Sequence, residues 1–201
     1  MRCIQLDTVD STNAYARRLW AAGDITGPLY ITAREQTAGR GNHGRNWLSP
    51  RDAGLYLTAV QPAVSGSLPS TTAYTLAAGV ACAETLISHT GADIRLKPIN
   101  DLYLAGGKLG GILVEAMIDH QQFRAVLTGV GINLTRAARP LPETMTRAIS
   151  LDEVLPEADV QRLDRVALAQ RLAEHIVRWN NRLTADGEGA VKAAWQQLAM
   201  P

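Results

Sequence analysis

The chain has 201 residues, 46% of them hydrophobic, with 20 Lys and Arg against 19 Asp and Glu, so it suits one sizeable domain and carries no charge excess that would draw it to nucleic acid or to a membrane surface. Cys3 and Cys82 are the only cysteines and lack C-x-x-C spacing, which indicates neither a disulfide framework nor a zinc site and predicts a cytoplasmic location. No signal sequence opens the chain, and no apolar run approaches the ~20 residues that a membrane span needs.

Ile4-Gln5-Leu6 reads as a short strand. Asp10-Ser11-Thr12-Asn13 then offers four candidate N-caps for a helix in which Tyr15, Ala16, Leu19 and Trp20 fall near helical spacing and Gly23 caps the end. Leu29–Ala33 is the next strand, and it leads into Thr37–Trp47, TAGRGNHGRNW, where Gly39, Gly41 and Gly44 spell a literal G-x-G-x-x-G. A dinucleotide-binding turn requires a helix directly after the glycines, with its first N–H groups on a pyrophosphate. Here Pro50 lacks an N–H and biases Ser49 away from helical backbone, so no helix is predicted. Arg40 and Arg45 among the glycines suggest a mobile anion-binding loop with guanidinium forks; a solvated turn is the plainer alternative.

Leu55–Val60 gives another strand, Pro62–Pro69 a connector, and Thr72–Ser88 a long helix with Leu76, Val80, Ala83 and Ile87 on one stripe, followed by a strand at Asp93–Lys97. The densest β region runs from Asp101 to Leu134: Leu102-Tyr103-Leu104, a turn at Gly106-Gly107, Ile112–Glu115, a turn near Asp119-His120, and Phe123–Ile132. Ser150–Glu153 is a capping box opening a short helix that Pro156 ends. Two amphipathic stretches close the chain, one through Val166, Leu168, Leu172, Ile176 and Trp179, the other from Ala190 to Leu198. Strands that first alternate with helices and then run consecutively predict an α/β fold of the α+β type, a mixed, largely antiparallel sheet flanked by helices.

Three stretches are richer in Gly, Lys and Asn than a core sheet requires: the glycine loop, KPINDLYLAGGKLGGILVE (Lys97–Glu115) and GVGINL (Gly129–Leu134). Lys108 stands between Gly106-Gly107 and Gly110-Gly111, where missing side chains admit a ligand to the backbone and an ammonium suits a phosphate; a hairpin with a solvated lysine is the bland alternative. Asn100-Asp101 fits an Asx turn, Asn133 a turn residue, Trp47 plain core, and Ser11-Thr12-Asn13 either a helix cap or ligand donors. His43 and His120 follow no zincin or triad pattern, Ser49 and Ser65 sit in no nucleophile elbow, and no P-loop is present. Chemistry built from these parts works by positioning and charge stabilisation, as phosphoryl and adenylyl transfer require.

The ordered set DSTN, EQTAGRGNHGRNW, NDLYLAGGKLGGILVE and GVGINL resembles the catalytic domain of biotin protein ligases, over roughly residues 1–135 by motif and over the whole chain by layout. The resemblance implies a fold like that of class II aminoacyl-tRNA synthetases, shared with lipoate ligases. It implies a two-step reaction: biotin and ATP give biotinyl-5′-AMP with magnesium, then a lysine of a biotin carboxyl carrier protein forms the amide. Carried over by motif, Ser11, Thr12, Asn13 and Gln36 would bind biotin, and Gly39, Arg40, Gly41 and Asn42 would close over the adenylate. Trp47 would cover the intermediate near its adenine, with Gly111 in the same binding set. Lys108 would contact the biotin carboxylate and the α-phosphate, with Arg40 also on phosphate, while Asp101 would orient the incoming amine; these three are the candidate catalytic residues. Asn100 and Asn133 would lie near phosphate, nucleotide and metal, without assigned magnesium ligands. Two departures stand out. Asn42 replaces the family's usual third arginine, which is expected to loosen the closed loop, and Lys97-Pro98-Ile99-Asn100-Asp101 replaces K-W-P-N-D, leaving Lys97 a weaker candidate than Lys108. Residues 1–201 are expected to form a single catalytic domain, without the N-terminal helix-turn-helix or C-terminal β-barrel domain of some members, binding neither nucleic acid nor membrane. A homodimer through a sheet edge is common in the family. A lipoate or octanoate ligase or transferase of the same fold, and a non-catalytic biotin- or adenylate-binding module, are the alternative readings.

Overall fold

The computed structural model describes residues 1–63, 69–119, 122–138 and 147–200. Its elements run β1 (Arg2–Val9), α1 (Thr12–Ala21), β2 (Leu29–Gln36), β3 (Gly54–Pro62), α2 (Thr71–Thr90), β4 (Arg95–Lys97), β5 (Asp101–Leu104), β6 (Gly107–Asp119), β7 (Gln122–Asn133), α3 (Glu157–Gln161), α4 (Arg165–Asp186) and α5 (Glu188–Leu198). The strands make one seven-stranded sheet in the order β1-β2-β3-β7-β6-β5-β4. β1 and β2 run parallel, as two strands joined by a crossover helix must, and every other neighbouring pair is antiparallel. The mixed sheet expected from the sequence is therefore present.

Helices α2, α4 and α5 pack on one another and on one face of the sheet, over the main hydrophobic core. α1 lies against β2, β3 and β7, over a smaller cluster of Ala16, Leu29, Ile31, Val60 and Leu127. β3 is consequently covered on both faces, which is why Leu55–Val60 is apolar at every position but Thr58 rather than alternating. α2 starts at Ser70, whose Oγ accepts from Ala73 N–H at 3.1 Å, and stops at Gly91 with φ +67°.

Two local expectations change. The β5–β6 turn is Ala105-Gly106, with φ of +47° and +75°, rather than Gly106-Gly107. Two left-handed residues match the twist of the flanking strands, and β6 consequently begins at Gly107 with Lys108 inside a strand instead of in the turn. Pro156 ends the 3₁₀ turn at Leu151–Glu153, yet it is also the N-cap of α3. His120, in the expected second turn, and residues 64–68 of the expected connector lie outside the described residues.

Candidate active site

A cavity of about 940 Å³ opens between the sheet, the start of α1 and the loop that follows β2. Its floor is made by absent side chains. Gly111 and Gly131 are paired across β6 and β7, and the indole of Trp47 lies on both: a Cβ at Gly131 would fall 2.9 Å from Cζ2, one at Gly111 3.3 Å from Cζ3. The indole Nε1 is buried there without a hydrogen-bond partner among the described residues. Two residues along β7, a Cβ at Gly129 would strike Asn13 Oδ1 at 2.5 Å, so this glycine seats the first turn of α1.

The glycine loop is a folded arch. Gln36 N–H donates to Ser49 O (3.0 Å), Trp47 N–H to Gly39 O (2.9 Å) and Gly41 N–H to Arg45 O (2.7 Å), while Arg40 and Asn46 form an antiparallel bridge. A 3₁₀ turn at Asn42–Gly44 makes the bend, with His43 at φ +58°, and extended residues follow instead of a helix. The dinucleotide-binding reading fails for the reason the proline suggested. Gly39 is buried under the arch rather than on the cavity wall, where a Cβ would meet Ser49 Oγ at 2.8 Å. Arg40, Gly41, Asn42 and Arg45 do line the cavity.

At α1 the N-cap is Ser11, in extended backbone, but its hydroxyl makes no cap bond. The first helical amide is satisfied from outside: Thr12 N–H and Thr12 Oγ–H both donate to Gln36 Oε1, at 2.9 and 3.1 Å. Gln36 Nε2 donates in turn to Ser49 Oγ at 2.8 Å, tying the helix start to the arch. Ser11, Thr12, Asn13 and Gln36 thus converge on one wall, as the motifs suggested.

Opposite stand the charges. Lys108 Nζ lies 2.6 Å from Asp101 Oδ1, with both side chains about one-fifth exposed, and 5.7 Å from the Trp47 ring centroid. A register shift at Leu102/Tyr103 sits between the two strands that carry this pair. Asn100 Nδ2 donates to Ile112 O (3.1 Å) and Asn133 Nδ2 to Ile149 O (3.0 Å), so both amides are held by backbone while lining the cavity. Lys97 is turned elsewhere, donating to Tyr103 OH at 3.3 Å with its ammonium over that ring, and does not line the cavity.

Of the residues expected in the site, all but Gly39 stand on the cavity wall. Thr58, Ser49, Gly129, Gly131 and Glu115 complete it or hold it, and were not on that list. Thr58 sits mid-strand in an apolar run, and only strand register would have placed it beside α1. Among the described residues no group of three or more His, Cys, Asp or Glu could hold a metal, and no helix is long and apolar enough to cross a membrane.

The family model for the biotin/lipoate A/B protein ligase family matches residues 6–133, and the chain belongs to that family. It is 36% identical over 194 residues to the biotin--[acetyl-CoA-carboxylase] ligase of Mycobacterium tuberculosis, covering 90% of this chain and 69% of that protein. The ligase of the same name from Paracoccus denitrificans is 30% identical, with 94% of this chain and 78% of that protein covered. Among solved structures, the biotin protein ligase of Aquifex aeolicus in complex with biotin and ATP superposes with a TM-score of 0.79 at 26% identity, over 99% of this chain and 78% of that one.

Proposed function

We propose that this chain is a biotin protein ligase, which joins biotin to ATP as biotinyl-5′-AMP and then hands the acyl group to a lysine of a biotin carboxyl carrier protein. The observation that carries the reading is the Lys108–Asp101 pair beside Trp47 on its glycine floor, in a cavity whose other wall presents the Thr12–Gln36 hydrogen-bond set. A binder of biotin alone has one carboxylate for an ammonium to pair with and little use for guanidinium groups besides; an adenylate uses both, because negative charge builds at the α-phosphate as the carboxylate oxygen attacks and pyrophosphate leaves.

In this reading Lys108 bridges the biotin carboxylate and the α-phosphate and holds the two reacting groups together. Arg40 approaches phosphate from the arch. Asp101 balances the lysine and accepts from the incoming amine, which forms the amide as AMP departs. Ser11, Thr12, Asn13 and Gln36 face the polar ring of biotin, and the arch with Trp47 excludes water from a hydrolysable anhydride. Gly41, Asn42, Gly111, Asn100 and Asn133 complete the nucleotide side. Asp101, Asn100 and Asn133 line the cavity and would be the residues to hold magnesium there, beside phosphate oxygens and water. It would supply charge neutralisation at the phosphates. The same reading treats residues 1–201 as one catalytic domain acting in the cytoplasm without nucleic acid or membrane. It includes a homodimer: β4 is covered by a backbone bridge from Leu96 to Ala199, whereas β1 lies at the opposite edge of the sheet.

The deciding experiment incubates the purified chain with magnesium-ATP and either biotin or lipoate, with and without a biotin carboxyl carrier domain, and reads products by mass. Biotinyl-AMP together with a biotin-sized gain on the carrier is the expected result. Adenylate from lipoate alone would move the chain to the lipoate branch, and no adenylate from either acid would overturn the ligase reading.

A further inference from the structure

The relay of hydrogen bonds at the start of α1 begins outside the cavity. Glu115 on β6 accepts from Asn13 Nδ2 at 2.8 Å and is itself gripped by Arg17 of α1 through two nitrogens; neither Glu115 nor Arg17 lines the cavity. An ionised carboxylate only accepts, so Asn13 must turn its NH₂ toward Glu115 and its oxygen the other way. That oxygen meets the buried hydroxyl of Thr58, which lies 2.5 Å from Asn13 Oδ1 and 2.8 Å from Thr12 Oγ1. Thr12 in turn gives its own hydroxyl proton to Gln36 Oε1, Gln36 gives its NH₂ to Ser49 Oγ, and Ser49 gives its proton to Trp47 O at 3.2 Å. Thr58 has one hydroxyl proton for its two neighbours; with that proton on Asn13 Oδ1, the Thr12 hydroxyl and the Gln36 amide are fixed by each other and by the Thr12 backbone N–H, so the carboxylate's influence runs to the Asn13 amide and Thr58.

We infer that Glu115, steadied by Arg17, is a positioning residue that sets which way round the Asn13 amide stands at the cavity wall, and thereby selects the donor and acceptor pattern met by the ring bound there. The inference rests on the biotin reading for the identity of that ring. Its physical basis is local. Without the carboxylate, the Asn13 amide can rotate by half a turn and present NH₂ to Thr58, which then has one acceptor left, Thr12 Oγ1. A ligand that recognised the original pattern meets a reversed one, and a mispaired polar group in a buried site is costly. ATP, whose binding groups lie at Lys108 and the arch, does not sense the change.

The test uses the full chain with Glu115→Ala, Glu115→Gln and Arg17→Ala. Glu115→Ala is expected to raise the biotin KM about tenfold, the effect of one misaligned hydrogen bond, with the ATP KM and kcat little changed. Glu115→Gln keeps an acceptor oxygen in place and is expected to stay within about threefold of the parent, with Arg17→Ala between the two. Equal changes in the biotin and ATP constants, or an unchanged biotin KM in Glu115→Ala, would overturn the inference and leave the residue a mere anchor of α1. A second arm needs no ligand: the Asn13 side-chain NH₂, one hydrogen of which is bonded to Glu115, should shift its NMR signals in Glu115→Ala and keep them near the parent's in Glu115→Gln. If the parent chain forms no adenylate, the ligase reading falls while this arm still decides the positioning role, unmoved Asn13 signals in Glu115→Ala counting against it.

Discussion

Trp47 rests on the bare α-carbon of Gly131, so close that a single methyl group there would overlap the indole. The strand backbone itself accepts alanine, because no left-handed angle is required at this position. Gly131→Ala is therefore expected to fold and to displace Trp47, raising the ATP KM about tenfold or more. A double-mutant cycle supplies the check: with Trp47→Ala already present, Gly131→Ala should add almost nothing, since contacting residues couple and the collision has been removed.

Lys108 and Asp101 face one another at 2.6 Å, and their separate removal should not be equivalent. Lys108→Ala is expected to cut single-turnover adenylate formation by roughly 10²–10³, the scale of one lost transition-state donor. Arginine should rescue poorly, because a planar fork on a longer stem does not reproduce a compact ammonium. Asp101→Asn should spare adenylation relative to Lys108→Ala and slow the second step, transfer to the carrier lysine. Rapid-quench measurement of the two steps separates the cases.

His175 on α4 predicts a pH dependence of stability. Its Nδ1 lies 3.0 Å from Thr85 Oγ1 and its Nε2 3.2 Å from Glu84 Oε2, an arrangement that by charge alone would favour the imidazolium. Burial works the other way and is the larger effect, helped by Arg178, so the imidazole is held below its ordinary value of 6.5. The unfolded chain then binds a proton that the folded one refuses, and stability falls as pH drops below that value. The melting temperature should decline between pH 7.5 and 5.5 in the parent and decline less in His175→Gln; parallel curves would refute the assignment.

Leu86, fully buried in α2 between the helical layer and the sheet, tests the core apart from the site. Leu86→Ala should cost about 2–5 kcal/mol by denaturant unfolding, the range for a leucine cavity, while leaving biotin affinity within twofold or so of the parent.

Much of the fold was legible because its signals are local. The Ser70 cap and Gly91 stop bound α2, the apolar run of β3 announces burial on two faces, and Pro50 rules out a helix after the glycines. β6 was read too short because its glycines erase the alternation that marks a strand. The cavity residues were legible through ordered motifs, and Lys97, the less secure lysine of the two in the sequence, stands off the cavity wall. What stayed hidden depends on register: Gly111 and Gly131 become one floor only when β6 pairs with β7, and Asn13, Thr58 and Glu115 meet only after α1 crosses three strands. No spacing in a one-dimensional string records such a meeting.

The β3–β7 pairing sets a timetable as well as a shape. Gly54 partners Asn133, so the centre of the sheet joins chain segments separated by most of the intervening domain. Such a closure has an entropic cost that local helices and hairpins avoid, and it governs how fast the chain can fold. Trp47 is translated long before the two glycines on which it rests. During synthesis and refolding alike the arch has nothing to close upon until the last long-range strands arrive, and ligand binding should appear in stopped-flow refolding with the slowest global phase, never ahead of it. A chain that must finish its sheet before it can hold a reactive adenylate cannot release one half-made.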